Sequence, residues 1–218
     1  MLIRHRAWIL ALHHFWRSSM ILAIDSSAGT AVAVTDEAGL ALSSASTSDR
    51  RSHAEAIGPL IQQALEEAAA FPTDISTVVM GVGPGPFTGL RVGMAAAEAF
   101  AWGASLPVRP VRSHDVLAVD LDQERFVVSD ARRGEWACTR YAPHPDGGPA
   151  RLVTETFLLP KSELPDDATT YQDTEVVFLS EVDPVVLAAV AVTRRGRGDT
   201  PIDPRPLYLR QPDVTMPQ

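Results

Sequence analysis

Several groups of residues in this 218-residue chain combine type and spacing in a way that could do chemistry. The most informative is the segment 81–93, G-V-G-P-G-P-F-T-G-L-R-V-G. A glycine-rich loop running into a helix presents free backbone N–H groups that attract anions, which makes Gly83, Gly85 and Thr88 candidate phosphate contacts. The spacing matches neither standard nucleotide fingerprint. A G-x-G-x-x-G begun at Gly81 meets Pro86 where it needs glycine, one begun at Gly83 meets Thr88, and no G-K-[ST] follows. The competing reading is packing: Gly89, Gly93 and Ala97 recur every fourth residue, a small-residue stripe that a helix, a sheet or a partner can approach closely. His53 and Glu55 could form an acid/base pair, but at the start of an amphipathic helix they read better as a cap, a surface charge or a partner contact. Arg132 and Arg133 in a turn are solvated charges or carboxylate and phosphate ligands. His114 and Asp115 follow Ser113, whose role as a helix N-cap is explanation enough. The arginines at 194, 195 and 197 follow a helix end, complement its dipole, and are the one local basic patch suited to touching RNA.

The elements that must position these residues follow from hydrophobic pattern. Ile21-Leu22-Ala23-Ile24 is a continuous apolar run ending at Asp25-Ser26-Ser27, and strands at 30–35 and from 40 to about 46 complete a meander around the turn 36–39. Ile57, Leu60, Ile61, Ala64, Leu65 and Ala68 recur at spacings of three and four, which predicts a helix to about residue 70. Pro59 lies within it, so the helix should start near Gly58 or kink there. A buried strand at 75–82, a helix at 88–103 capped by Thr88 and a short strand at 108–111 then imply parallel pairing through crossovers. The second half repeats the theme. Strands at 125–130 and 136–141 flank the turn 131–134, a third runs over 152–158, and a polar loop at 162–173 leads to a strand at 175–179. Asp183 and Pro184 then cap and open a helix over 185–192. This is a duplicated α/β domain whose second copy is truncated, with subdomains expected at 20–111 and 112–218.

Composition excludes several classes. Nineteen Lys+Arg against 27 Asp+Glu give a net charge of −8, so no nucleic-acid surface rests on bulk positive charge. One cysteine, Cys138, cannot close an intramolecular disulfide, and no Cys/His cluster has zinc-like spacing, so no metal site is expected and a reducing, cytoplasmic setting is. Residues 1–19 hold Arg4, Arg6 and Arg17 and no acid around a short apolar run. That run is too short for a membrane span, which needs about 20 apolar residues. The stretch reads as a dispensable extension or a misassigned start, with Met20 standing before the first strand.

Five segments in order carry a family resemblance: I-L-A-I-D-S-S at 21–27, R-S-H-A-E at 51–55, the glycine segment, S-D-A-R-R-G-E at 129–135 and P-L-Y-L-R at 206–210. Together they resemble the TsaB (YeaZ) family, the bacterial tRNA threonylcarbamoyladenosine biosynthesis subunit, over residue 20 to about 214. The resemblance implies an actin-like, ribonuclease-H-like ATPase fold. It also implies a non-catalytic subunit, without catalytic residues of its own, that pairs with TsaD, with TsaE joining. The complex moves threonylcarbamoyl onto the adenosine next to the tRNA anticodon. By that resemblance two helices, beginning near His53 and Thr88, form the contact with TsaD or with a second copy. Its candidate residues are His53, Glu55, Ile57, Leu60, Ile61, Gly89, Gly93, Met94 and Ala97. tRNA is then met only through the complex, and no membrane is involved.

An actin-like ATPase needs a carboxylate at the end of its first strand, a second Asp-Gly in the other half and a late glycine-rich adenosine loop. Asp25 meets the first need, with Ser26 beside it. Asp130 is followed by Ala131 and Arg132, and Gly196 and Gly198 sit among arginines. The paired histidines of a TsaD-type metal site are missing, since His53 has Ile57 four residues on. The chain is therefore expected to carry no cofactor of its own, with ATP at most at the complex interface. Three alternatives stay open: a working ATPase or kinase using Asp25 and the glycine loop, a metallopeptidase-like relative, disfavoured for want of ligands, and a simple structural dimer without any tRNA role, against which only the co-occurring family motifs speak.

Overall fold

Two five-stranded sheets carry the chain, each built outward from its own first strand; the computed structural model describes residues 19–49 and 51–210. The expected extension therefore lies outside the described residues except for Ser19. In the first sheet, β1 (Met20–Asp25) pairs antiparallel with β2 (Thr30–Asp36), which pairs with β3 (Ala41–Thr47). On its other side β1 runs parallel to β4 (Ile75–Gly81), and β4 to β5 (Val108–Val111), giving the order β3-β2-β1-β4-β5. The unbroken apolar run of β1 has a plain cause: both faces are covered. Leu22 and Ile24 pack under α1 (His53–Glu67) and α2 (Phe87–Ala104), the crossovers into β4 and β5, while Ile21 and Ala23 face the other way. There they meet Leu187 and Ala188 of α3 (Pro184–Arg197), a helix supplied by the second half.

The second sheet has the order β8-β7-β6-β10-β9, built from β6 (Arg125–Asp130), β7 (Glu135–Ala142), β8 (Arg151–Pro160), β9 (Thr170–Tyr171) and β10 (Thr174–Phe178). β6 takes the place of β1: antiparallel to β7, parallel to β10. No helix joins β8 to β10. The polar loop instead lays Leu164 and Ala168 on Phe126, Val128, Trp136 and Cys138, and Trp136 Nε1 donates to the Leu164 carbonyl at 2.8 Å. The same loop contributes the two-residue β9, which pattern alone did not mark. Cys138 is enclosed here, and burial pushes its thiol up to about 12.

Four local expectations need correction. α1 begins at His53, where the resemblance placed it, rather than near Gly58, and carries Pro59 inside it. Both Pro59 and Glu55, whose carbonyl loses its partner to the proline, lie on the exposed side, where water can satisfy that carbonyl. Thr88 does not cap α2: Pro86, in extended backbone at ψ 131°, precedes the first helical residue, and no side chain caps that end. Ser113 caps nothing either; it opens a 3₁₀ turn, Ser113–Leu117, and its hydroxyl is used elsewhere. α3 runs past residue 192 to Arg197, so its arginines belong to its last turn. Asp183 does cap it, accepting from Val185 and Val186 N–H. Among the described residues no helix is long and apolar enough to cross a membrane.

Candidate functional site

The head of β1 is closed. Asp25 is 1% exposed. Its Oδ1 accepts from the Ser27 N–H and hydroxyl, both at 2.7 Å, and its Oδ2 from the Ser113 hydroxyl at 2.5 Å. Gly81 is the wall behind it, since a Cβ there would stand 1.8 Å from Oδ2. Burial raises the carboxyl above the ordinary aspartate range, against the lowering effect of the Ser113 and Ser27 hydrogen bonds. The residues here do not fit a metal-bound nucleotide. The carboxylate faces its own chain, and Gly85 lies on Ser27 so closely that a Cβ would meet Ser27 Cα at 2.7 Å.

Ser26 is spent on the chain as well. Its hydroxyl donates to the Gly89 carbonyl at 2.7 Å and accepts from the Gly93 N–H at 2.8 Å, bridging the two groups of one α2 rung. A Cβ on Gly93 would lie 2.3 Å from that hydroxyl, so the glycine is required by the approach of β1. The small-residue stripe thus packs inside the molecule. Of the residues expected at a partner contact, Gly89, Gly93, Met94, Ala97, Ile57 and Leu60 are buried in the chain itself. The correction has a simple physical basis: periodicity finds an apolar face, and here that face covers the sheet. Glu55 is exposed and Ile61 half-buried. His53 is half-buried, its Nδ1 hydrogen-bonded with Thr30 Oγ1 at 2.8 Å. Of the candidate phosphate contacts, Gly83 packs on Leu90, and Thr88 is exposed beside a cavity of about 300 Å³ that Arg51, His53 and Arg132 also line.

The 3₁₀ turn joins the halves through three successive side chains. Ser113 holds Asp25 and accepts from the Gly83 N–H at 3.1 Å. His114 is fully buried between Thr139 and Ser129, at 2.8 and 2.7 Å. Burial, with Arg112 nearby, drops its imidazole to about 3, so it is neutral. Asp115 accepts from the Tyr141 hydroxyl at 2.7 Å and from Arg194 at 2.6 Å. Arg197 donates to the Pro149 carbonyl at 3.1 Å and also to that of Gly147. Two of the three arginines expected to be free for RNA are therefore engaged; Arg195 is exposed. Pattern reading missed this junction, although three polar residues running into Val116-Leu117 were a signal that polar groups enter the interior.

At the head of β6 the arrangement is open. Asp130 bonds the Arg132 N–H at 3.0 Å and Lys161 at 3.1 Å, and burial is outweighed by these contacts, so its carboxyl lies below the usual range. A cavity of about 390 Å³ lies between this turn and the glycine loop, walled by Pro86, Phe87, Leu158 and Tyr208 and by Arg132 and Arg210. Among the described residues no three His, Cys, Asp or Glu side chains gather as metal ligands.

Comparison with known proteins agrees with this architecture. A family model described as TsaD, tRNA N6-adenosine threonylcarbamoyltransferase, matches residues 41–145. An uncharacterized protein of Mycobacterium tuberculosis is 36% identical over 211 residues, covering 90% of this chain and 94% of its own length. The tRNA threonylcarbamoyladenosine biosynthesis protein TsaB of Escherichia coli is 32% identical over 116 residues, 51% of this chain and 50% of that one. A solved structure from Pseudomonas aeruginosa, described as similar to peptidase YEAZ, superposes with a TM-score of 0.69 at 25% identity, covering 88% of this chain and all of that one. The two mixed sheets are the YeaZ-like, actin-like ATPase fold.

Proposed function

The chain belongs to the TsaD/TsaB (YeaZ) family, and from that premise we propose that it is a non-catalytic scaffold and activator subunit that pairs with TsaD. In this reading TsaD transfers threonylcarbamoyl to the adenosine beside the tRNA anticodon, TsaE joins the assembly, and tRNA and any nucleotide are met at the complex rather than at Asp25. The observation that carries the reading is the state of Asp25: the carboxylate at the end of the first strand, where an actin-like ATPase would need it, is enclosed by Ser27, Ser113 and Gly81. A carboxylate so satisfied holds the fold and has no face for a substrate.

The contact with TsaD is assigned to the outer seam of α1 and α2. Ala56, Ile61, Val92, Ala96 and Phe100 are only partly buried there, and Glu55 stands at its edge. Size-exclusion chromatography of the full chain with its cognate TsaD, followed by a tRNA modification assay, tests this. The wild type should form the complex and switch on modification only with TsaD present, and Ile61→Arg should abolish both while keeping its melting temperature. ATP turnover by this chain alone, or no complex with TsaD, would sink the reading.

A further inference from the structure

The cavity between the halves joins features that the scaffold reading leaves unused. Its floor turn is strained: Arg132 and Arg133 both adopt left-handed backbone, at φ 64° and 56°. Such residues persist only where their surroundings hold them. Here the Lys161 N–H donates to the Gly134 carbonyl at 2.8 Å, and Arg210 donates to the carbonyls of Ala131 at 3.0 Å and Arg132 at 3.3 Å. The turn is thus clamped from two sides, and Arg132, with half its side chain exposed, lines both this cavity and the neighbouring one of about 300 Å³. Around it Arg132 and Lys161 share Asp130, and Arg210 pairs with Glu135.

The same cavity is lined by an aromatic pair. Phe87 and Tyr208 stack at 4.9 Å, and Arg91 packs over the Phe87 ring at 4.0 Å and bonds the Tyr208 hydroxyl, which fixes both rings. The segment carrying Tyr208 is itself anchored, with the Leu207 N–H donating to the Val82 carbonyl at 2.9 Å. A planar guanidinium fork grips a carboxylate or a phosphate, and a fixed aromatic face takes a flat ring. The volume is that of a small-molecule site, about 300–1,000 Å³.

We propose that this cleft binds a small organic anion, its carboxylate or phosphate head held by Arg132 and its flat ring laid on Phe87 and Tyr208. The site is separate from the enclosed Asp25 and does not depend on the pairing with TsaD. The test is isothermal titration of the full chain at low salt with AMP, 3-hydroxybenzoate and inorganic phosphate, beside Arg132→Gly and Phe87→Leu. Glycine suits the backbone of position 132, so Arg132→Gly should melt no lower than the wild type while binding at least about tenfold more weakly. Phe87→Leu should weaken the two ring-bearing probes and leave inorganic phosphate unchanged. Saturable one-to-one binding of AMP alone would assign a phosphate head, and of 3-hydroxybenzoate alone a carboxylate. Saturable binding of neither, or binding unchanged in Arg132→Gly, would overturn the proposal and leave the TsaD reading standing.

Discussion

Asp25 and Asp130 occupy the same position in two copies of one topology, each at the end of the central strand of its sheet, and their surroundings are opposite. Asp25 is sealed among serine donors and its carboxyl is raised by burial. Asp130 lies partly in solvent, paired with Lys161 and Arg132, and its carboxyl is lowered. The first copy kept its crossover helices, and these press the glycine loop onto the strand end. In the second no helix joins β8 to β10, and its strand end faces a cleft. An aspartate at a strand head is therefore not a function in itself; what packs above it decides whether it ties the fold or meets a ligand.

This contrast can be broken by substitution. Gly81→Val should be the most damaging, because its side chain must displace the Asp25 carboxylate; chemical denaturation should show a loss of about 3 kcal/mol or more. Ser113→Ala leaves Asp25 Oδ2 and the Gly83 N–H without their shared partner, for a loss of about 1–3 kcal/mol in the same assay. Asp130→Asn, on the open side, should cost less than about 1 kcal/mol, since its pairs are screened by solvent.

The two heads also titrate with opposite sign. Asp25, raised in the fold, makes the folded state bind protons more readily than the unfolded chain, so its own contribution to stability grows as pH falls from above its folded value toward 3.8. Asp130, lowered, contributes stability above 3.8 that is lost as pH falls through its folded value. His114 dominates the milder acid range. With its imidazole at about 3 in the fold and 6.5 unfolded, only the unfolded chain takes up its proton between those values. Stability should thus fall as pH drops below 6.5, by about 1.4 kcal/mol per unit from this group. Denaturation midpoints followed from pH 7 to 4 should show this slope in the wild type and its loss in His114→Gln; equal slopes would remove His114 as the cause.

Much of the fold was legible because it rests on local pattern. The run Ile21-Leu22-Ala23-Ile24, the period of Ile57, Leu60 and Ala64, and the Asp183-Pro184 start each announce an element, and each element is present. The site was less legible. Gly93 was recognisable as a close-approach residue, but what approaches it, Ser26, lies 67 residues away in the chain. Thr88 and Ser113 were read as caps because Ser and Thr favour that role, and tertiary contacts overrode the preference.

From the sequence alone followed the duplicated α/β plan, the truncation of its second half, the glycine loop between strand and helix, and the lack of a second cysteine for an intramolecular disulfide. These are properties of composition and short-range periodicity, which a chain carries before it folds. Only the tertiary structure decided that Asp25 is enclosed, that the small-residue stripe of α2 faces inward, and that Arg132 lines one cavity with Phe87 and Tyr208. Each of these rests on contacts between distant residues, 88 positions from Asp25 to Ser113 and 79 from Ala131 to Arg210. Burial, and with it pKa and access, is set by whichever residues arrive from elsewhere in the chain.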